Sequence, residues 1–206
     1  MTRAVAGIPA ASRQPEREPV AFAKVYPRLG WIMSETDTSA ENAKTGIWGL
    51  DEILSGGFSR GHLFLLEGAP GTGKTTISLQ FLLEGAEAGE KGLHITLSET
   101  ARELRQGAAS HGWNLDGIEV FELLPPESLL DSEQQQSLLY SSDLELGETT
   151  KQIFAAVERI KPARVVLDSL SEIRLLAQSS LRYRRQVLAI KHFFAKFGAT
   201  LVMLDD

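Results

Sequence analysis

The stretch Gly68-Ala69-Pro70-Gly71-Thr72-Gly73-Lys74-Thr75 constrains this chain more than any other. It fits G-x-x-x-x-G-K-[ST], a loop whose backbone N–H groups cradle phosphate oxygens. Three glycines let the backbone curl so that successive N–H groups point inward. Lys74 then reaches the β- and γ-phosphates as a point charge, and the Thr75 hydroxyl ligates Mg²⁺. Thr76 extends the binding set at the start of the following helix. Such a loop works only between a strand and a helix. His62-Leu63-Phe64-Leu65-Leu66 is an apolar run of strand length, and Thr76 to Gly85 reads as a helix.

Around this unit, strands are expected at 62–67, 92–97, 118–123, 164–168 and 199–204. Helices are expected at 74–88, 100–111, 148–160 and 181–197, with a short one at 49–54 closed by Gly56-Gly57. Alternation of this kind means βαβ units, hence an α/β fold with a mainly parallel sheet flanked by helices. Leu63–Leu66 and Val165–Leu167 are continuously apolar, as burial on both faces requires. In the helix at 181–197, Val187, Ile190 and Phe194 form one stripe, with Phe193 and Phe197 beside it, and read as core.

Residues 1–43 carry four of the eight prolines and no sustained period, so a disordered or loosely packed tail is expected, with the domain over 44–206. Within the tail, Phe22 to Met33 reads as stray apolar residues, the alternative being a patch that docks on the domain or on a partner. Residues 124–147 hold many acids and no Lys or Arg, which predicts a long acidic surface loop. The net charge of -6 does not indicate a bulk electrostatic grip on nucleic acid. The absence of cysteine removes disulfides, thiolate zinc sites and thiol catalysis, and is compatible with a reducing cytoplasm. No run of about 18 apolar residues predicts a membrane span, and Met1–Ala11 makes a poor secretory signal.

A phosphate loop needs two further carboxylates to hydrolyse what it binds. Arg164-Val165-Val166-Leu167-Asp168 is an apolar strand ending in aspartate, the Walker B pattern, and makes Asp168 the metal-side carboxylate. Its alternative role is to cap the next helix. Glu99 follows the strand Leu93 to Leu97 and sits where ligands bind in open α/β sheets, so it is the candidate catalytic carboxylate. It too could instead cap a helix. Asp205 and Asp206 follow another strand and are read as structural or end effects.

The segment Thr45 to Asp206 resembles a KaiC-type domain of the RecA superfamily of ATPases. The resemblance rests on Thr45-Gly46-Ile47, Gly49-Leu50-Asp51 and Gly56-Gly57, the P-loop with Thr75-Thr76, Ser98-Glu99-Thr100, His111-Gly112-Trp113 and Val166 to Leu170. It implies a RecA-like P-loop NTPase core, ATP and Mg²⁺ as ligands, slow hydrolysis and a homo-hexameric ring with signalling protein partners. By residue it makes Lys74 and Glu99 catalytic and places Thr75 and Asp168 at the metal. In the clock members two adjacent glutamates stand where this chain has Ser98-Glu99. The family domain also continues past the strand at 199–204 with further strands and the basic residues that reach a neighbour's γ-phosphate. The expectation is therefore a C-terminally incomplete piece, with no second P-loop in the chain. Arg182, Arg184 and Arg185 read as solvated or intersubunit residues.

Three alternatives accompany the regulatory ATPase. One is a Ser/Thr autokinase, for which Ser141, Ser142, Thr149 and Thr150 are available acceptors. Another is a DNA-recombination ATPase of the RecA or RadA kind. The last is a non-catalytic, nucleotide-gated interaction module or inactive fragment.

Overall fold

The structure, a computed structural model, describes residues 42–123 and 138–206, with side chains from Leu146 onward in the second stretch. Residues 1–41 of the expected tail therefore lie outside the described residues, including the Phe22 to Met33 patch. Its last two positions, Asn42 and Ala43, belong to the domain instead.

The chain opens with β1 (Asn42–Ala43), α1 (Trp48–Ile53) and β2 (Phe58–Ser59), in which β1 and β2 pair antiparallel. Asp51 locks the intervening turn by accepting from the Thr45 amide and hydroxyl at 2.7 and 2.8 Å. Gly57 has φ +117, and a Cβ there would lie 2.4 Å from the Ala43 carbonyl oxygen, so this position admits only glycine. These contacts give the Thr-Gly-Ile and Gly-Gly motifs a physical meaning: they seat the entry segment on the domain.

Then follow β3 (Leu63–Glu67), α2 (Lys74–Glu87), β4 (Gly92–Thr96), α3 (Ala101–Ser110), β5 (Ile118–Glu122), α4 (Leu138–Ile160), β6 (Arg164–Asp168), α5 (Leu170–Ala177), α6 (Ser180–Phe197) and β7 (Thr200–Asp205). The five longer strands form one parallel sheet in the order β3-β7-β6-β4-β5. Alternation along each strand decides which helices it serves. Leu93, Ile95, Val165, Leu167, Leu201 and Met203 pack with Ile153 and Val157 of α4, Ile173 of α5, and Ile190 and Phe194 of α6. Val166, Val202 and Leu204 face the other way, onto Leu79, Phe81 and Leu82 of α2 and Leu104 of α3. The RecA-like α/β expectation is met, down to the stripe Ile190 and Phe194.

Three expectations need correction. The acidic stretch is not a loop throughout: α4 starts at Leu138, so residues 138–147 are helical, while 124–137 lie outside the described residues. Burial of Leu146, and of Thr150 one turn later, holds that turn despite Gly147. Second, the β3 run is only partly buried, although Leu63 packs on one core cluster and Phe64 and Leu66 on the other. Among the described residues β3 has a neighbour on one side only, and Leu65 is 51% exposed. Third, α5 was not anticipated as a helix of its own, although buried Leu170, Ile173 and Ala177 recur at helical spacing.

The helix α2 carries a buried Gly85 in its last turns. A Cβ there would lie 2.4 Å from Cδ of Arg164, whose side chain crosses the helix at that point. Arg164 stands at the head of a central strand, is almost fully buried, and donates to Glu90 at 2.7 Å and to the carbonyls of Lys44 and Phe81 at 2.6 and 2.8 Å. Its guanidinium also lies 4.8 Å from the Phe81 ring centre. Glu90 is shared with Arg60 at 2.6 Å.

Candidate functional site

Parallel strands put all their C-terminal ends on one edge, and the candidate residues gather there. The loop after β3 enters α2 through Gly73, which has φ +90, and Gly71 has φ +80. Gly68 is needed for a different reason: a Cβ would meet the Thr72 hydroxyl at 2.9 Å. That hydroxyl donates to the Ala69 carbonyl at 2.8 Å and closes the turn. No side chain caps the start of α2, so its first N–H groups remain for an anion. Gln80 ties the helix to the entry segment by donating to the Gly46 carbonyl at 2.7 Å.

Thr75 and Asp168 meet. The Thr75 hydroxyl donates to Asp168 Oδ2 at 3.0 Å, across the sheet edge from P-loop to Walker B strand. Burial pushes the Asp168 carboxyl up to about 6; the charges of Glu99 and Asp206 add to this, while Thr75 and Lys74 oppose it. A hydroxyl and a partly buried carboxylate, with further acids close by, form an oxygen donor set for a hard cation. Among the described residues no group of three or more His, Cys, Asp or Glu could hold a metal by itself.

The capping alternatives for both carboxylates fall away. The N-cap of α5 is Ser169, not Asp168. The N-cap of α3 is Thr100, in a full capping box with Glu103. Glu99 is thus spare, and its backbone is pinned by the Thr96 hydroxyl, which accepts from its N–H at 3.0 Å and donates to its carbonyl at 2.9 Å. Thr96 pairs with Asp168 in register, so adjacent strand ends carry Glu99 and Asp168. Glu99 is exposed at this edge.

Lys74 does not stand free. Its Nζ donates to the carbonyls of Gly68 and Ala69 at 2.5 and 3.2 Å, and pairs with Asp206 Oδ1 at 2.8 Å. Asp205 keeps its structural reading, whereas Asp206 needs reassignment. Asp206 faces the P-loop lysine, and Asp205 is buried, accepting from Ser171 and Arg174. The signal for both was available: each follows an apolar strand at the same sheet edge as Asp168 and Glu99. Of the named phosphoacceptor candidates, Thr150 is buried and donates to the Leu146 carbonyl at 2.9 Å. The side chains of Ser141 and Ser142 lie outside the description. A cavity of about 600 Å³ lined by Lys91, Arg105 and Arg159 lies at the opposite edge, by the strand starts Gly92 and Ile118. Among the described residues no helix is long and apolar enough to cross a membrane.

Comparison with known proteins gives the family and the fold. The family described as ATPase: KaiC matches residues 43–206. A UPF0273 protein of Methanopyrus kandleri is 30% identical over 173 residues, 82% of this chain and 68% of that protein. The circadian clock protein KaiC3 of Synechocystis is 31% identical over 177 residues, 85% of this chain but 34% of that longer protein. The crystal structure of a KaiC-like protein from Pyrococcus horikoshii superposes with a TM-score of 0.64 at 30% identity, covering 79% of this chain and 69% of that one. The chain belongs to the KaiC family of ATPase domains.

Proposed function

We propose that this domain binds ATP with Mg²⁺ at the P-loop edge and hydrolyses it. The observation that carries this reading is the Thr75–Asp168 hydrogen bond with Glu99 on the adjacent strand end. Lys74 and the open N-terminus of α2 hold phosphate oxygens. Thr75 and Asp168 would hold a magnesium ion, which would supply charge neutralisation to the bound phosphates. Glu99 orients a water and takes its proton at a carboxylate oxygen. Thr96 and the capping box at Thr100 fix the backbone that carries that carboxylate. Catalysis on this scheme comes from positioning and preorganised charge.

The test is phosphate release alongside nucleotide binding. Glu99→Gln is expected to keep ATP binding and lower turnover by about 100-fold. Lys74→Ala is expected to lose binding altogether. Wild-type binding in Lys74→Ala removes the P-loop assignment, and unchanged turnover in Glu99→Gln moves the base elsewhere. Ring assembly, which the family resemblance implies, is expected as an ATP-dependent rise in mass on size-exclusion chromatography. A monomer with and without ATP rejects it.

A further inference from the structure

The Lys74 ammonium has three donors, and the protein engages it at three acceptors: the Gly68 and Ala69 carbonyls and the Asp206 carboxylate. A phosphate oxygen can reach this ammonium only if one partner leaves. The two carbonyls are neutral and belong to the loop. Asp206 carries a charge of the same sign as phosphate. It is the partner that an arriving phosphate repels and replaces.

Asp206 is also wired to the helices behind the sheet. Its amide donates to Ser171 Oγ at 3.3 Å and to Asp205 Oδ1 at 3.2 Å. Ser171 Oγ donates to Asp205 Oδ1 at 3.0 Å. The other Asp205 oxygen accepts from Arg174 Nη2, and the Arg174 guanidinium lies 5.0 Å from the Tyr183 ring centre. A continuous polar path thus runs from the P-loop lysine through β7 and α5 to the first turn of α6.

We propose that Asp206 is a phosphate mimic for the nucleotide-free domain. It holds Lys74 until a nucleoside di- or triphosphate takes the ammonium, and its release loosens the Ser171–Asp205–Arg174 path at the α5–α6 corner. This rests on the nucleotide reading of Gly68–Thr75 given above. Coupling between the two ends is a claim about two arrangements of one network, so both ends must be measured.

Calorimetric titration of the full chain with ADP, in EDTA and then with MgCl₂, tests the first half. Asp206→Asn is expected to bind ADP about two- to fivefold tighter, the range for a partly exposed ion pair. If Lys74→Ala loses ADP binding while Asp206→Asn binds no tighter, the mimic is overturned and the nucleotide site stands. If Lys74→Ala binds normally, the nucleotide reading itself fails. Hydrogen exchange over residues 170–183 tests the second half. ADP is expected to speed exchange there in wild type. Asp206→Asn is expected to exchange at that faster rate before ADP is added. Wild-type exchange that ADP leaves unchanged overturns the relay.

Discussion

Arg164→Ala is expected to destabilise the domain by about 3–5 kcal/mol, the usual cost of removing one partner of a buried charge network. The arginine side chain is 2% exposed, and three protein acceptors depend on it: Glu90 and the carbonyls of Lys44 and Phe81. Alanine leaves both carbonyls without this donor. It also strips Glu90 of one of its two cations and abandons the Phe81 ring face. The cavity would be lined on one side by Gly85, which has no side chain to fill it. Burial raises the Glu90 carboxyl, but the hydrogen bonds from Arg60 and Arg164 outweigh it and hold it at about 2. In Arg164→Ala that carboxyl should titrate closer to its usual range. Urea unfolding at neutral pH gives the stability, and a loss below about 1 kcal/mol would place this arginine among ordinary surface ion pairs. If the alanine variant does not fold, Arg164→Met with Glu90→Gln is the informative pair. Removing both charges should recover the part of the loss that comes from leaving the Glu90 carboxylate without Arg164.

The second large effect is an acid limb in stability set by His94. This side chain lies in the middle of β4, fully buried, with both ring nitrogens lacking a hydrogen-bond partner among the described residues. Its register neighbours on the flanking strands are Val120 and Val166. Burial lowers its pKa from 6.5 to about 4, so the folded protein keeps it neutral. The sign follows from proton uptake: between those values the unfolded chain binds the proton and the folded one does not. The His94 contribution is therefore complete above the unfolded pKa and falls as pH drops toward 4, by about 3 kcal/mol over the window, while the raised Asp168 carboxyl works in the opposite sense below about 6. Glu90 acts in a separate, more acidic window, from its usual 4.5 down to about 2. His94→Leu is expected to be at least as stable as wild type at pH 8, because it removes two unpaired buried polar atoms. It should also flatten the decline between pH 6.5 and 4. Unfolding free energies measured across that range decide it; an unchanged slope in His94→Leu assigns the decline to other groups.

These two residues show where reading the chain from residue types runs out. The P-loop, β4, β6 and α6 were legible because each carries its own local signal: glycine spacing, an unbroken apolar run, or a helical stripe. Arg164 and His94 sit inside two of the clearest strands, yet nothing local says that both are buried. Their surroundings are supplied from far along the chain, by Glu90, Phe81 and Lys44 for one and by Val120 and Val166 for the other. The first turns of α4 were hidden by Ser141, Ser142 and Gly147, poor helix formers that tertiary packing of Leu146 and Thr150 overrides. In the site, Lys74, Thr75, Asp168 and Glu99 could be picked by motif and strand-end position. Asp206 could not be ranked above its neighbour without knowing which of the two faces the lysine.

The strand order has a further consequence, for the timing of assembly. Among the described residues β7 is the one strand that pairs with β3, from Leu63 opposite Leu201 to Glu67 opposite Asp205. During synthesis the P-loop strand therefore has no partner among the described residues while α2, β4, β5 and β6 are made. The phosphate loop can be written early but anchored only late, when β7 slots between β3 and β6. Closing so long a loop is entropically slow. A nascent chain stalled before Thr200 would hold every motif residue of the nucleotide site and still lack its frame.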